Sequence, residues 1–437
     1  MTTATTATAP GALHRVITTP LLMLFILGDV LGAGVYALAG TIAGRVGGAI
    51  WAPLLIALCF ALLTAASYAE LVTKYPRAGG AAVFAERAFG KPLLSFLVGF
   101  SMLAAGVTSA AGLAVAFAGD YLGAFVQWPA GGVAVGFLII VGLLNARGIK
   151  ESLSANLVMT LVELSGLVMV VAAAAWFVAG GHGVPARLLE VDADAPGMAI
   201  LGASLLAFYS FVGFETSANL AEEVQDVSRV YPKALFSALL IAGVMYLLVG
   251  AGAALVLPVD ELKASSAPLM QVINASGLGI PPRWFAVIAL IAVANGALLT
   301  MIMASRLAYG MAREGLLPRV LGHVLPRRRT PGWAILATTL IAIALTFTST
   351  LEVLAQTVVL LLLFVFLSTN VAVLVLKRDK VSTEHFHVHW IFPVLAVLSC
   401  LLLLAQQGAD TWLRAGLMLG LGLVLYAVSR GVSRPAA

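Results

Sequence analysis

The sequence predicts an all-α integral membrane protein with 12 transmembrane helices. Two observations carry this prediction. Of the 437 residues, 61% are hydrophobic and only 10% are charged, whereas soluble domains carry about 25% charged residues. Apolar runs long enough to cross a hydrocarbon core of about 30 Å recur along the whole chain. A soluble fold is therefore excluded.

The apolar runs give the order of the predicted elements. With boundaries soft by several residues, they cover residues 20–44, 49–72, 93–119, 130–146, 154–179, 197–223, 233–257, 284–312, 332–350, 352–376, 388–407 and 411–429. Residues 1–17 are rich in Thr and Ala and lack the apolar core of a cleavable signal, so we expect a flexible cytoplasmic tail. No soluble domain interrupts the spans, which predicts one membrane domain.

The basic residues predict the orientation. With the N-terminus inside, 19 of the 25 Lys and Arg residues fall in cytoplasmic segments and five in outer ones, while Arg306 lies within the eighth span. Because positive residues favour the cytoplasmic side, both termini are expected inside, in a plasma (inner) membrane. The net charge of +5 then reflects topology and gives no reason to expect a nucleic acid partner.

Two of the spans contain residues that a simple lipid-spanning helix would not use. The first span contains the run Gly28-Asp29-Val30-Leu31-Gly32-Ala33-Gly34-Val35. Each glycine costs a helix about 1 kcal/mol relative to alanine, and an acid at bilayer depth costs about 3 kcal/mol or more. The sixth span repeats the pattern with Gly213 and Glu215. Broken helices at matching places in two halves indicate a small-molecule site near the bilayer midplane, and an offset of five spans inverts the second half.

The ends of the broken helices predict the chemistry of this site. Unwinding exposes N–H groups at a positive helix N-terminus and carbonyl groups at a negative C-terminus. The N–H groups of Gly32, Ala33 and Gly34 suit a carboxylate, and the carbonyls near Val30, Tyr209 and Val212 suit an ammonium. A zwitterion needs both, so the expected ligand is an α-amino acid or a close relative, held also by backbone at Gly213. The alternative is a pair of glycine-rich faces that pack helices together.

Four groups of residues occur in order along the chain. They are Gly32-Ala33-Gly34-Val35-Tyr36 with Leu38-Ala39-Gly40; Ser67-Tyr68-Ala69-Glu70-Leu71 with Tyr75-Pro76-Arg77-Ala78-Gly79-Gly80; Phe211-Val212-Gly213-Phe214-Glu215 with Glu222-Glu223 and Pro232; and Ser305-Arg306-Leu307-Ala308-Tyr309-Gly310 continuing to Pro318. In this order the chain resembles the amino acid–polyamine–organocation permeases, and most nearly their cationic amino acid transporter branch. The resemblance covers about residues 15–430.

The resemblance implies a LeuT-like fold. Two inverted five-helix repeats would occupy residues 18–179 and 180–380, and residues 381–437 would form two further helices and a short cytoplasmic tail. It also implies alternating access and transport, rather than an enzymatic reaction. Transport would be proton-coupled or by exchange, with an L-amino acid and the lipid bilayer as partners and no cofactor beyond a coupling proton, sodium being less favoured.

The resemblance also implies the ligand contacts. In related transporters the substrate carboxylate meets backbone that matches Ala33 and Gly34, and the amine meets carbonyls that match Val30, Tyr209 and Val212. These positions agree with the helix-end argument. Phe208 and Phe211 are further candidates for the lining of the site. Asn295 could line it as well, but a hydrogen bond between helices is the role that the sequence favours.

Glu163, in the fifth span, is the leading candidate for proton coupling. No neighbour in sequence neutralises it, and a lone carboxyl in an apolar medium favours its protonated form. In several proton-coupled relatives a lysine occupies the matching position, so the charge balance here must differ. The alternative is a neutral Glu that bonds two helices together.

Two more acids lie beside the breaks. Glu215 could gate the site in response to protons or could complement the dipole of the following half-helix. Asp29 could bond unwound N–H groups, face a cationic side chain of the ligand or hold a cation. The sequence leaves these roles open.

Other features indicate no further chemistry. His385, His387 and His389 would face one way on an extended segment, but without a cysteine nearby we expect a solvated inner loop and no metal site. Cys59 and Cys400 lie in apolar spans and predict no disulfide.

The alternatives to proton-coupled uptake are an amino acid or polyamine exchanger, a sodium symporter, and a channel or membrane sensor that does not transport.

Overall fold

The protein is all-helical throughout the part of the chain that the structure describes. The computed structural model describes residues 15–32, 34–77, 79–147, 152–191, 196–325, 328, 330–382 and 384–432. Within these ranges the only β feature is an isolated parallel bridge between Ile17 and Val224. The prediction of an all-α protein is confirmed.

Seventeen α-helices follow one another in the described ranges. They are α1 (Thr19–Leu31), α2 (Gly34–Val46), α3 (Trp51–Lys74), α4 (Gly80–Phe89), α5 (Pro92–Phe117), α6 (Asp120–Gly123), α7 (Ala130–Arg147), α8 (Ser152–Ala179), α9 (Pro196–Tyr209), α10 (Val227–Val256), α11 (Val259–Ala264), α12 (Pro268–Ala275), α13 (Pro282–Arg313), α14 (Gly332–Thr346), α15 (Leu351–Leu376), α16 (Ile391–Ala405) and α17 (Ala409–Val432). Short 3-10 helices occupy Pro185–Leu189, Phe214–Glu223 and Arg319–Gly322.

Most of the predicted spans are long, apolar helices. Nine helical segments of the described residues are long and apolar enough to cross a membrane, and the bent pair α1 and α2 makes a tenth. Helices α14 and α16 have 15 residues each, or about 22 Å at ~1.5 Å per residue, less than the ~30 Å of a hydrocarbon core. They occupy the ninth and eleventh predicted spans, so the number of twelve stays a prediction.

Burial separates the central helices from the peripheral ones. Of an apolar 18-residue stretch, 72% is buried inside the protein in Pro92–Gly123, which contains α5, and in α15, against 22% in Ala409–Ser429 of α17. Helix α5 packs between α13 and α15. Helix α17 exposes Leu413, Leu417 and Val424, which a surrounding bilayer would cover. The central helices therefore supply the wall of any internal site.

The first and sixth predicted spans, for which breaks were predicted, are both interrupted. Helix α1 ends at Leu31 and α2 begins at Gly34, with an angle of 41° between them. Helix α9 ends at Tyr209, and the chain turns before the 3-10 helix Phe214–Glu223 begins. Gly213 has a φ of 127°, which only glycine adopts without strain. The inverted relation of the two halves stays a prediction.

Contacts at the two ends of the bundle agree with alternating spans. At one end, Lys377 pairs with Glu70 and Tyr75 donates a hydrogen bond to Asp379. Lys377, Tyr75 and Asp379 come from segments predicted to be cytoplasmic, and Glu70 lies near the cytoplasmic end of the second predicted span. At the other end, Arg45 pairs with Glu352; Arg45 comes from a segment predicted to be outer, and Glu352 begins the tenth predicted span on that side. The two pairs lie at opposite ends of α15 (Leu351–Leu376), and which of these ends faces the cytoplasm stays a prediction.

Candidate functional site

A small, partly enclosed cavity lies between the two interruptions. It offers about 50 Å³ to the centres of water-sized molecules, enough for a few waters at about 10–15 Å³ each. Helices α5, α13 and α15 supply much of its wall. The predicted residues that line it are Asp29, Val30, Gly32, Gly34, Tyr209, Val212, Gly213 and Glu215. The tertiary fold thus brings together most of the residues predicted from the two broken spans.

The two interruptions touch through their backbones. A Cβ atom built on Gly34 would lie 2.7 Å from Ser210 Cα, and one built on Gly213 would lie 2.8 Å from the carbonyl oxygen of Asp29. Real Cβ atoms do not come so close to backbone atoms. Glycine at both positions therefore permits a contact that any other residue would force apart.

The backbone groups at the cavity agree in part with the zwitterion prediction. The first N–H groups of α2 have no partner within their helix, and Gly34 opens that helix at the cavity. The Val30 carbonyl already accepts a hydrogen bond from Tyr246 Oη at 2.6 Å, and the Tyr209 carbonyl accepts one from Val212 N at 3.2 Å. A carbonyl oxygen has two lone pairs, so each can accept a second bond. Ala33 lies outside the described residues.

Asp29 connects the two interruptions. Its side chain is nearly buried, and its Oδ2 accepts a short hydrogen bond from Thr216 Oγ1. The same hydroxyl lies 2.8 Å from the carbonyl oxygen of Gly213. The sequence left three roles open for Asp29: bonding unwound N–H groups, facing a cationic ligand side chain, or holding a cation. A hydrogen bond from Thr216, a side chain of the other interruption, is none of these.

Glu215 is bonded within its own break. Gly213 N donates to Glu215 Oε2 at 2.9 Å, and the carboxyl is 2% exposed. A carboxylate at the start of a helical segment that accepts a backbone N–H complements the local dipole. This contact favours the role in which Glu215 complements the dipole of the following half-helix over the gating role, although the side chain also lines the cavity.

Glu163 lies outside the cavity lining, in a separate polar cluster. It is fully buried, and its Oε1 accepts a hydrogen bond from Asn295 Nδ2 at 3.0 Å. The same amide group donates to Asn156 Oδ1 at 3.1 Å. Glu163 Oε2 has no hydrogen-bond partner among the described residues. An unpaired carboxyl oxygen at this depth is costly, which marks the cluster as a place where a proton or cation would be stabilising.

The cluster around Glu163 packs against α1. A Cβ atom on Gly28 would overlap Thr160 Oγ1 and lie 3.0 Å from Asn156 Oδ1. Further along, Tyr36 Oη donates to the backbone carbonyl of Glu163 at 2.6 Å. The cluster is therefore in direct contact with both halves of the broken first span.

Three residues predicted as possible lining lie elsewhere. Phe208 and Phe211 are almost fully buried, and their rings pack on Phe366 and Tyr246 with centroids 5.9 Å and 5.2 Å apart. Asn295 belongs to the Glu163 cluster. Phe208 and Phe211 are absent from the cavity lining, because the rotation of the chain turns their rings toward the protein core. Asn295 makes the hydrogen bond between helices that the sequence favours for it.

The structure adds lining residues that the sequence analysis missed. Ser109 of α5 forms a hydrogen bond of 3.0 Å with the Tyr209 hydroxyl, and Thr216 and Thr300 complete a polar part of the wall. A hydroxyl side chain in an apolar span is a weak signal, because many such groups simply bond their own helix. The neighbouring Thr108 does this with the carbonyl of Ala104.

A second group of ligand-type side chains lies at the end of the bundle predicted to be cytoplasmic. Glu70, His385 and His387 each offer one ligand atom, and these atoms lie within 4.8 Å of one another. More than three hundred residues separate Glu70 from the two histidines in the sequence, so the sequence pattern predicted only a solvated loop there.

The chain is similar in sequence to known transporters over most of its length. Cationic amino acid transporter 4, vacuolar, of Arabidopsis thaliana is 30% identical over 378 residues, which cover 80% of this chain and 61% of the relative. The branched-chain amino acid permease BcaP of Bacillus subtilis is 26% identical, covering 93% of this chain and 90% of its own. The methylthioribose transporter of the same bacterium is 25% identical, with 93% and 91% covered.

The amino acid permease family matches residues 17–412, which is nearly the whole chain. The match includes both interruptions, the cavity and the Glu163 cluster. It confirms the resemblance inferred from the four ordered motifs and makes the protein a transporter rather than an enzyme. The chain belongs to the amino acid permease family of integral membrane proteins.

Proposed function

We propose that the protein is a secondary active transporter that takes up an L-amino acid together with protons by alternating access. The observation that carries this proposal is the cavity enclosed by both interruptions, where backbone at Gly34 faces backbone at Ser210 and Gly213 faces Asp29. The family membership and the names of the plant and BcaP relatives support an amino acid as the substrate.

The substrate would be held mainly by backbone. Its carboxylate would accept from the free N–H groups that open α2 near Gly34. Its ammonium would donate to the second lone pairs of the Val30 and Tyr209 carbonyls, as in the argument from helix ends. These contacts involve only the carboxylate and ammonium groups that all α-amino acids share. Selectivity for the substrate side chain would therefore come from cavity residues of α5, α13 and α15. The small cavity favours a small substrate unless the site widens on binding.

Alternating access requires the two ends of the bundle to open in turn. In this structure a charged pair joins different helices at each end: Lys377–Glu70 at the end predicted to be cytoplasmic and Arg45–Glu352 at the other. Opening either end breaks a charged contact that links different helices. We propose that the cytoplasmic face carries both termini and that the protein resides in the plasma membrane.

Glu163 would couple the proton to transport. A proton on its unpaired Oε2 removes a buried charge next to α1, whereas its release restores that charge. Since α1 contacts the cluster through Gly28 and α2 contacts it through Tyr36, the charge can bias how the broken span packs. Sodium is the second candidate, because the oxygens of Glu163 and Asn156 converge on one Asn295 amide.

The test is uptake by the purified protein in proteoliposomes. A panel of the 20 amino acids, with methylthioribose as a substrate of a different class, is presented with and without an imposed pH gradient. We expect accumulation of one class of amino acid that depends on the gradient and persists when choline replaces sodium. Counterflow without net accumulation would instead make the protein an exchanger. Loss of uptake in choline would make it a sodium symporter, and flux that cannot accumulate any solute would make it a channel.

A further inference from the structure

An extended segment of the chain seals the end of α3 at the face predicted to be cytoplasmic. Residues 384–389, between α15 and α16, bond α3 through their backbone: Phe386 N donates to Thr73 Oγ1 at 3.0 Å and Val388 N to Glu70 Oε2 at 2.9 Å. Lys377 Nζ closes the arrangement by donating to the Val388 carbonyl at 2.6 Å. We call residues 384–389 the sealing segment.

The sealing segment directs two histidines toward Glu70. Side chains alternate along an extended chain, so His385 and His387 share one side, and their ring centroids are 4.0 Å apart. With the Glu70 carboxylate they provide three ligand atoms within 4.8 Å of one another. His389 would share that side in an ideal strand, but its ring lies against Trp390 with centroids 5.6 Å apart.

Two imidazoles and a carboxylate form a ligand set for zinc-like ions. Zn²⁺ binds His nitrogen at about 2.0–2.1 Å and carboxylate oxygen at about 2.0–2.2 Å, so tetrahedral ligands lie roughly 3.3 Å apart. The three ligand atoms lie within 4.8 Å of one another, and since His387 is exposed and His385 half-buried, side-chain rotation can bring them to this spacing. Water would complete the coordination from the open cleft that the three residues line.

The charges around Glu70 limit how tightly the ion can bind. Lys377 Nζ lies 3.1 Å from Glu70 Oε1 and 2.8 Å from Oε2. An ionised carboxylate offers about four acceptor positions, so a metal can be added, but the ammonium repels it. The site therefore suits an ion that binds reversibly rather than a resident cofactor.

We propose that Glu70, His385 and His387 form a binding site for Zn²⁺ and related divalent transition metals, which fastens the sealing segment to α3. On the proposed function, which requires this end of the bundle to open, bound metal inhibits transport by holding it closed. The ligands come from two segments that must separate, and a metal bridge resists that separation.

The first test is Zn²⁺ binding to the purified protein, prepared with a tag that lacks histidine and titrated by calorimetry. Substituting one ligand, in H385Q or H387Q, should weaken binding by about tenfold or more, while H389Q serves as the matched control and binds as the wild type does. Co²⁺ should give the visible absorption of a tetrahedral site in the wild type and lose it in H387Q. Equal Zn²⁺ affinity of the wild type and H387Q would overturn the proposal.

The second test measures transport with Zn²⁺ added on the side that carries the sealing segment. Inhibition is expected in the wild type and H389Q and should be largely relieved in H387Q. Transport that is unchanged when calorimetry shows the site filled would overturn the inhibitory role. The binding test needs no transport, so failure of the proposed function is distinguishable from failure of the metal site.

Discussion

Gly34 and Ser210 lie so close together that a single added carbon on Gly34 would come within 2.7 Å of Ser210 Cα and 2.9 Å of its hydroxyl oxygen. The two residues belong to different broken spans, 176 positions apart in the chain. Gly34 also lines the cavity, so the geometry of the site depends on the absence of a side chain there.

Substitution of Gly34 by alanine should weaken substrate binding. The new methyl group must push the two interruptions apart, which displaces the N–H groups proposed to hold the carboxylate. We expect the affinity to fall by about tenfold or more, equivalent to ~1.4 kcal/mol, as measured by ligand-dependent thermal stabilisation. The control is G136A, where a Cβ meets no atom within 4 Å. Unchanged affinity in G34A would contradict backbone capture.

Glu163→Gln should separate coupling from binding. The Gln side-chain oxygen can still accept from Asn295 Nδ2, as Glu163 Oε1 does at 3.0 Å, so the local packing is kept and only the ionisation is lost. We expect uptake driven by a pH gradient to disappear from proteoliposomes while counterflow of substrate continues. If E163Q still accumulates substrate in response to the gradient, another group carries the proton.

Thr216→Val should destabilise the contact between the interruptions. Valine keeps the shape of threonine but removes the hydroxyl that bonds Asp29 Oδ2 and approaches the Gly213 carbonyl. Leaving a buried acceptor without its donor costs about 1–3 kcal/mol, which chemical denaturation of the purified protein would measure. T216S retains the hydroxyl and should keep most of the free energy of unfolding. If T216S loses as much of this free energy as T216V does, packing of the methyl group and not the hydrogen bond stabilises the contact.

Lys377→Met should favour opening of the end that bears the sealing segment. Glu70 is nearly buried and Lys377 is about one quarter exposed, and removing one partner of a buried pair costs about 3–5 kcal/mol. We expect faster labelling of a cysteine placed at Ala105, in the cavity wall, after Cys59 and Cys400 are replaced by serine. K380M removes an exposed lysine from the same cleft and should leave the labelling rate unchanged. Equal rates in K377M and K380M would show that the pair does not hold this end closed.

Acid should weaken a second contact at the same end. The Tyr75 hydroxyl donates a hydrogen bond to Asp379 Oδ2 at 2.6 Å, and this bond lowers the pKa of Asp379 below its ordinary value. Arg87 lowers the pKa further. This contribution to stability is therefore present above that ordinary value, about 3.9, and is lost as the pH falls through the lower folded-state value. Thermal unfolding from about pH 2 to 6 should show a smaller acid effect in Y75F than in the wild type, and superimposable pH profiles would contradict it.

The broken spans show what a sequence can predict about a site. Glycine and a carboxylate within an apolar run are costly wherever they occur, so Gly32, Gly34 and Gly213 were recognisable without coordinates. The structure places all three at the cavity. Phe208 and Phe211 were harder to assign, because a rotation of one residue along a helix, about 100°, decides whether a side chain faces the cavity or the protein core.

Composition and local chemistry by themselves determined that this chain is an all-helical membrane protein, where its apolar runs lie, and which backbone positions are interrupted. These properties depend on free energies of transfer and of helix formation that each segment carries alone. Only the tertiary structure decided which distant groups meet: Thr216 with Asp29, Asn295 with Glu163, and Glu70 with His385 and His387. Such pairs depend on how helices rotate and pack against one another, and no local pattern in a single sequence encodes that arrangement directly.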